Sequence, residues 1–130
     1  MKLKVDPIIA VRNVKESSKW YQSIFDCNSI HGGDTFDVLV SDKNDVLLCI
    51  HKWNAHDHPT MQKPSGNFAQ GLILYFRVEN IAHIRARLKQ LNYNVEAEIQ
   101  MSPNSHQLEF SVRDLDGYYI TVSEYHQYEG

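Results

Sequence analysis

Residues 110–124 read FSVRDLDGYYITVSE. Leu108–Val112 and Tyr118–Ser123 are runs rich in apolar, β-branched and aromatic residues, and the turn Asp114-Leu-Asp-Gly117 separates them. Asp-Gly is a strong hairpin signal because glycine supplies a positive φ at little steric cost. The stretch predicts two antiparallel strands joined by a tight turn. It also has a counterpart upstream. SDKNDVLLCI (41–50) falls on RDLDGYYITV (113–122), and VRNV (11–14) falls on VENI (78–81). Identity is low, so what recurs is punctuation and apolar pattern. Two matches in the same order predict an internal repeat.

Working outward, each copy gains the same elements. Val5–Val11 reads as a strand, and Asn13 stands where a helix N-cap belongs, with Glu16 three residues on. Val14, Trp20, Tyr21, Ile24 and Phe25 recur at helical spacing. Asp26–Asn28 and Gly32-Gly33 punctuate the chain before two strands, Phe36–Val40 and Val46–Ile50, joined by the turn Ser41–Asp45. The second copy opens with the strand Leu72–Val78 and the cap Asn80. Ile81, Ile84, Leu88 and Leu91 form an apolar helical stripe, and the 110–124 hairpin follows. The reading is an α+β fold of two tandem β-α-β-β-β modules in a single domain spanning 1–130. Module one covers about 5–51 and module two about 70–124. Residues 52–69 join them, with Pro59, Pro64, Gly66 and no clear period. A segment of that kind is expected to be a functional loop, a lid or a linker.

Composition bounds the function. A chain of 130 residues is the size of one domain. Sixteen acidic against thirteen basic residues give a formal charge of −3, which argues against a nucleic-acid partner. No run approaches the roughly 18 apolar residues that a membrane span needs. The N-terminal MKLKVDPIIAV has two lysines and a short apolar run broken by Asp6 and Pro7, which does not read as a signal peptide. Cys27 and Cys49 form no CxxC pattern. Two lone cysteines in such a chain suit a reducing cytoplasm.

A tandem β-α-β-β-β chain ending in Phe110 and Arg113-Asp-Leu-Asp-Gly-Tyr118 resembles the vicinal-oxygen-chelate superfamily, the glyoxalase, bleomycin-resistance and extradiol-dioxygenase group. The parallel is an aromatic, then D-P-D-G-aromatic, then a strand, with Leu115 here replacing the usual proline. IIAVRNVKESSKWYQSIFDC at the front and LILYFRVENIAHIRARL further on match the opening strand and helix of each module. The resemblance covers roughly 5–124 and is closest in character to metal-free bleomycin-resistance-like members. It implies a half-open, barrel-like cleft lined by the two sheets, a homodimer, and a small organic ligand. In the superfamily's metal-dependent members it also implies a divalent ion held by one ligand from each of four strands.

Alignment on the motifs puts those four positions at Asp6, Cys49, Ile73 and Thr121. Asp6 and Cys49 can bind an ion. Ile73 has no donor atom and Thr121 is a poor ligand, so the usual site reads as broken. The adjoining HKWNAHDH (51–58) crowds His51, His56 and His58 together, but H-x4-H-x-H is no established metal spacing. The cluster reads as a polar and aromatic rim with Trp53 beside it. Asp6, Cys49 and His51 are the acid–base candidates, against the plainer readings of an exposed strand start and a small core hydrophobe. Tyr75 shares the face of Ile73, and Tyr119 that of Thr121, so both are expected at the cleft. Glu124 reads as solvated, and His31, His83, His106 and His126 as surface residues. The expected ligand-binding set is Asp6, Cys49, His51, Trp53, Ile73, Tyr75, Tyr119 and Thr121, with no catalytic or metal-binding residue and no cofactor. The expected function is that of a cytoplasmic, metal-free small-molecule binder. The alternatives are a lyase, isomerase or dioxygenase using one divalent transition metal on displaced ligands, and a regulatory module with a vestigial cleft.

Overall fold

The computed structural model describes residues 1–127 and divides into two compact units, Met1–Gly66 and Asn67 onward. The first unit runs β1 (Ile8–Val11), α1 (Val14–Ile24), β2 (Cys27–Ser29), β3 (Phe36–Ser41) and β4 (Val46–Lys52). Its sheet has the order β1-β4-β3-β2, with β1 parallel to β4 and the other pairs antiparallel. Helix α1 begins because the Asn13 side chain accepts the Glu16 N–H at 3.0 Å, satisfying one of the donors a helix start leaves orphaned. It ends at Phe25, which is extended although its N–H still bonds the Tyr21 carbonyl. Val14, Trp20, Tyr21 and Ile24 are buried on the face that packs on β3 and β4. Alternation along the strands sends Ile9, Val11, Leu39, Leu48 and Ile50 into this core. Ile8, Ala10, Phe36, Val38, Cys49 and His51 take the opposite face. The register sets Ile8 beside Cys49, Ala10 and Phe36 beside His51, and Val38 beside Cys49.

The second unit repeats the plan with β5 (Ile73–Val78), α2 (Ile81–Gln90), β6 (Ala97–Met101), β7 (Leu108–Arg113) and β8 (Tyr119–Glu124), in the order β5-β8-β7-β6. Asn80 caps α2 by accepting the His83 N–H at 3.1 Å. The helix closes in a Schellman arrangement. Asn92 takes a left-handed φ of 53°, its N–H reaches the Lys89 carbonyl, and the Tyr93 N–H reaches the Leu88 carbonyl. Leu74, Phe110, Val112, Ile120 and Val122 are buried on one side of the sheet, and Ile81, Ile84 and Leu88 of α2 are buried with them. Each sheet is open, with β1 and β2, or β5 and β6, at its edges. The α+β class and both modules are therefore as the sequence reads them.

Some details differ. β1 starts at Ile8 rather than Val5, and Pro7, which has no N–H to donate, lies just outside it. β5 starts at Ile73 rather than Leu72. The β-α-β-β-β pattern calls for a third strand after each helix, and β2 and β6 supply it, but the sequence reading assigns no residues to either. The first is three residues within what reads as punctuation, and the second is a mostly exposed edge. Leu91 does not join the helical stripe but follows α2 as its C-cap, 51% exposed. Glu124 is half-buried, and its carboxylate accepts the Leu108 N–H at 2.9 Å, so it anchors the start of β7 rather than facing water.

The two hairpin turns match closely. Asp114 Oδ1 accepts the N–H groups of Asp116 and Tyr118, and Gly117 supplies a φ of 92°. Ser41 Oγ accepts the N–H groups of Lys43 and Asp45, and Asn44 supplies a φ of 64°. Ser41 thus corresponds to Asp114, one position away from the sequence overlay that sets it on Arg113. The same overlay is correct for the strands, because the pair Ile8–Cys49 corresponds to Tyr75–Thr121 when Val11 is laid on Val78. The difference is Leu47. Leu39 pairs with Leu48 and Val40 with Val46, leaving Leu47 as a β-bulge.

Candidate functional site

In the first unit Cys49 and His51 lie on the sheet face opposite the α1 core, Trp53 lies just after β4, and Asp6 lies just before β1. Cys49 is 5% exposed, and its thiol is pushed up by burial first and then by the negative charges of Asp6 and Asp37. A thiol held protonated in this way is a poor nucleophile and a poor metal ligand. Asp6 lies before β1 and is exposed, near enough for its charge to reach Cys49. His51 is 7% exposed, and its Nδ1 donates to its neighbour's carbonyl, Lys52 O, at 2.8 Å. The carbonyl can only accept, so Nδ1 carries a proton. The rings of His56 and His58 stand 5.7 Å and 5.8 Å from that of His51, and Phe36 packs edge-on from the neighbouring strand. His56 Nε2 shares a hydrogen bond with the Thr35 hydroxyl at 2.9 Å. Trp53 is half-buried, and its backbone N–H donates to the Val11 carbonyl. The sequence cluster is thus a packed group of rings. Among the described residues no three His, Cys, Asp or Glu side chains are arranged to hold a metal ion.

In the second unit, the sheet face turned away from the buried core is polar. The register sets Tyr75 beside Thr121 beside Ser111, and Arg77 beside Ser123 beside Glu109. A groove of about 830 Å³ opens on this face, with Ile73, Tyr75, Glu109, Thr121 and His126 among its walls. One end is formed by the β6–β7 connection. There the buried Ser102 accepts the Asn104 and Ser105 N–H groups on its hydroxyl, while His106 adopts a left-handed φ of 60°. Another wall comes from the segment after β8. The Tyr125 N–H bonds the Val78 carbonyl, Arg77 Nη1 donates to the His126 carbonyl at 2.7 Å, and the Tyr75 hydroxyl shares a hydrogen bond with His126 Nε2 at 3.0 Å. Chemically the groove offers hydroxyls, two imidazoles, a carboxylate and a tyrosine ring. Among the described residues no lysine or arginine lines the groove.

Three of the expected residues, Ile73, Tyr75 and Thr121, therefore line one groove. Tyr119 and Ile73 line a smaller adjoining recess of about 520 Å³, where Arg113 lies 5.2 Å from the Tyr119 ring centre. Sequence reasoning missed Glu109, His106 and His126 as wall residues. The alternation of β7 places Glu109 on the face of Ser111 and was a usable signal. Nothing in spacing joins His126 to Tyr75, because the contact is made by chain that folds back after the last strand. At the two positions where the resemblance puts metal ligands on this unit stand Ile73, 60% exposed and without a donor, and Thr121, whose hydroxyl faces that of Ser111 at 3.5 Å. These side chains do not fit the superfamily's metal set.

The sequence pattern of the Glyoxalase/Bleomycin resistance protein/Dioxygenase superfamily matches residues 4–122. The chain belongs to that superfamily. Among solved structures, this superfamily member is similar in fold to a hypothetical protein from S. aureus, with a TM-score of 0.76, 13% identity and coverage of 96% of this chain and 95% of that one. It is also similar to a bleomycin resistance determinant encoded on the transposon Tn5, with a TM-score of 0.69, 10% identity and coverage of 97% and 100%. A bleomycin-binding protein complexed with bleomycin gives a TM-score of 0.67 at 11% identity, covering 96% of this chain and 100% of that one. Likenesses at such identities speak for the fold alone. Among curated proteins none matches the chain. Among the described residues no helix is long and apolar enough to cross a membrane.

Proposed function

We propose that this superfamily member is a metal-free small-molecule binder that works as a cytoplasmic homodimer and catalyses no reaction on its ligand. The observation that carries the reading is the groove on the second sheet. Its volume of about 830 Å³ falls within the range of small-molecule sites, roughly 300–1,000 Å³. Rigid strands position Tyr75 and Thr121 on its floor, and His126 is fixed by two hydrogen bonds, so little ordering remains to be done when a ligand enters. Tyr75 supplies an amphipathic surface for an unsaturated or aliphatic ligand body, and Thr121 and the 102–107 connection supply directional hydrogen bonds. A bleomycin-binding protein complexed with bleomycin shows that this fold is compatible with holding a small organic ligand.

The test pairs elemental analysis of tag-free protein with a thermal-shift screen of small organic molecules, followed by Thr121→Leu in the groove. The expected result is no stoichiometric metal, at least one compound that raises the melting temperature, and loss of that rise in the variant. A stoichiometric transition metal lost on mutating His51 or Asp6 would overturn the metal-free reading in favour of a metal-dependent lyase, isomerase or dioxygenase.

A further inference from the structure

The groove has an unbalanced charge. Glu109 on β7 takes the same face as Ser111, Thr121 and Tyr75, and lies directly beside Ser123 and Gln100 in the ladder. It is half-buried in the groove wall, and its carboxylate has no hydrogen-bond or ion-pair partner among the described residues. Holding an ionised group partly out of water without a partner is unfavourable, and two arginines, Arg77 and Arg113, project from the same sheet. Both are engaged elsewhere. Arg77, in the same cross-strand row, donates to the His126 carbonyl and lies 5.4 Å from the Tyr125 ring centre. Arg113, on the same strand as Glu109, is bound to Glu96 at 2.9 Å and to the Gly117 carbonyl. Among the described residues, the one formally charged side chain in the groove wall is therefore an uncommitted anion, set among hydroxyls, side-chain amides and two imidazoles. An anionic ligand would meet repulsion with no counter-charge, and a neutral one would leave the carboxylate unmatched.

We propose that the groove selects ligands bearing a protonated amine or amidinium, with Glu109 as the counter-ion and the Tyr75 ring as the surface against which the adjoining ligand body lies. This rests on the binding reading above and adds to it the chemical class of the ligand. Charge-assisted hydrogen bonds are short and about twice as strong as neutral ones, and the ladder fixes the face from which the Glu109 side chain projects.

Three probes of similar size separate the possibilities: 2-phenylethylamine, 2-phenylethanol and phenylacetate. Each is titrated into the whole protein and followed by backbone amide shifts of residues 73–77, 107–111 and 119–123. The amine is expected to bind about 3- to 10-fold more tightly than the alcohol and phenylacetate most weakly, a range scaled down because the carboxylate is only half-buried. Added salt should weaken the amine alone. Glu109→Gln should bring the amine to the level of the alcohol and leave the alcohol unchanged, whereas Glu109→Asp should keep the preference. Phenylacetate binding as tightly as the amine, or an amine preference that survives Glu109→Gln, would overturn the charge assignment. Binding of the alcohol in the groove would then still uphold the broader reading. Absence of amide shifts at these residues with all three probes would overturn both.

Discussion

Asp37 offers the sharpest test of how the first unit is held together. It is 1% exposed on β3, and its carboxylate gathers the loop that follows β2. It accepts the Ser29 hydroxyl at 2.7 Å, the His31 N–H at 3.2 Å, the Gly32 N–H at 2.8 Å and its neighbour Val38's N–H at 2.8 Å. Asp37→Ala removes the acceptor for these four donors and for the Ser18 hydroxyl at once. A buried donor left unmatched costs about 1–3 kcal/mol, but loop N–H groups near the surface recover water, so about 3 kcal/mol in total is expected. Asp37→Asn keeps one oxygen, loses the charge and turns an NH₂ toward donors, for about 1–2 kcal/mol. The pH dependence follows from the same contacts. Burial pushes the Asp37 carboxyl up, yet the hydrogen bonds from Gly32, Ser18, Ser29 and Val38 outweigh it and hold the group below the ordinary carboxylate value. A folded-state pKa below the unfolded one gives stability that is fully present above about pH 4 and is lost as pH falls through the folded value. Urea unfolding of the native protein and Asp37→Asn, run at pH 7, 5, 4 and 3, should show a constant gap down to pH 5 that narrows below pH 4. A gap that is absent at pH 7, or that is the same at pH 3, would refute the reasoning.

Other outcomes follow from single contacts. Gly117→Ala should cost about 1 kcal/mol in urea unfolding from backbone conformation alone, since φ is 92° and a Cβ there meets no atom within 4 Å; a cost several times larger would mean an unseen clash. Burial, with a smaller contribution from Asp26, pushes the Cys27 thiol up to about 11, so iodoacetamide should label it slowly at pH 7.5 and faster as pH rises toward 10. Rapid labelling at neutral pH, read by peptide mass spectrometry, would contradict the burial.

The elements that were legible in the sequence are those with local causes. Asn13 and Asn80 announce their helices because one side-chain oxygen caps each, and Asp114 with Gly117 announces the hairpin because the turn is closed within five residues. The strand faces were legible because alternation is strict, which is how Tyr75 and Thr121 were assigned to one surface. What could not be read depends on distant partners. β2 is a strand only because Cys27–Ser29 pairs with Leu39–Ser41, and His126 matters only because Arg77 and Tyr75 hold it. The three close histidines suggested coordination, but the sequence gives no directions for their nitrogens. One ring bonds its own strand's carbonyl and another a threonine.

Leu47 has a consequence for how the two copies have diverged. Successive residues of a strand project to opposite sides, so a one-residue difference in length should turn every later side chain inside out. Here the mismatch is confined to a single position. Parity is restored by Leu48, and Cys49 and His51 keep the side that their counterparts Thr121 and Ser123 occupy. One copy thus carries an extra residue inside a strand without exchanging its two faces, so the two sheets stay comparable position by position although their hairpins differ in length.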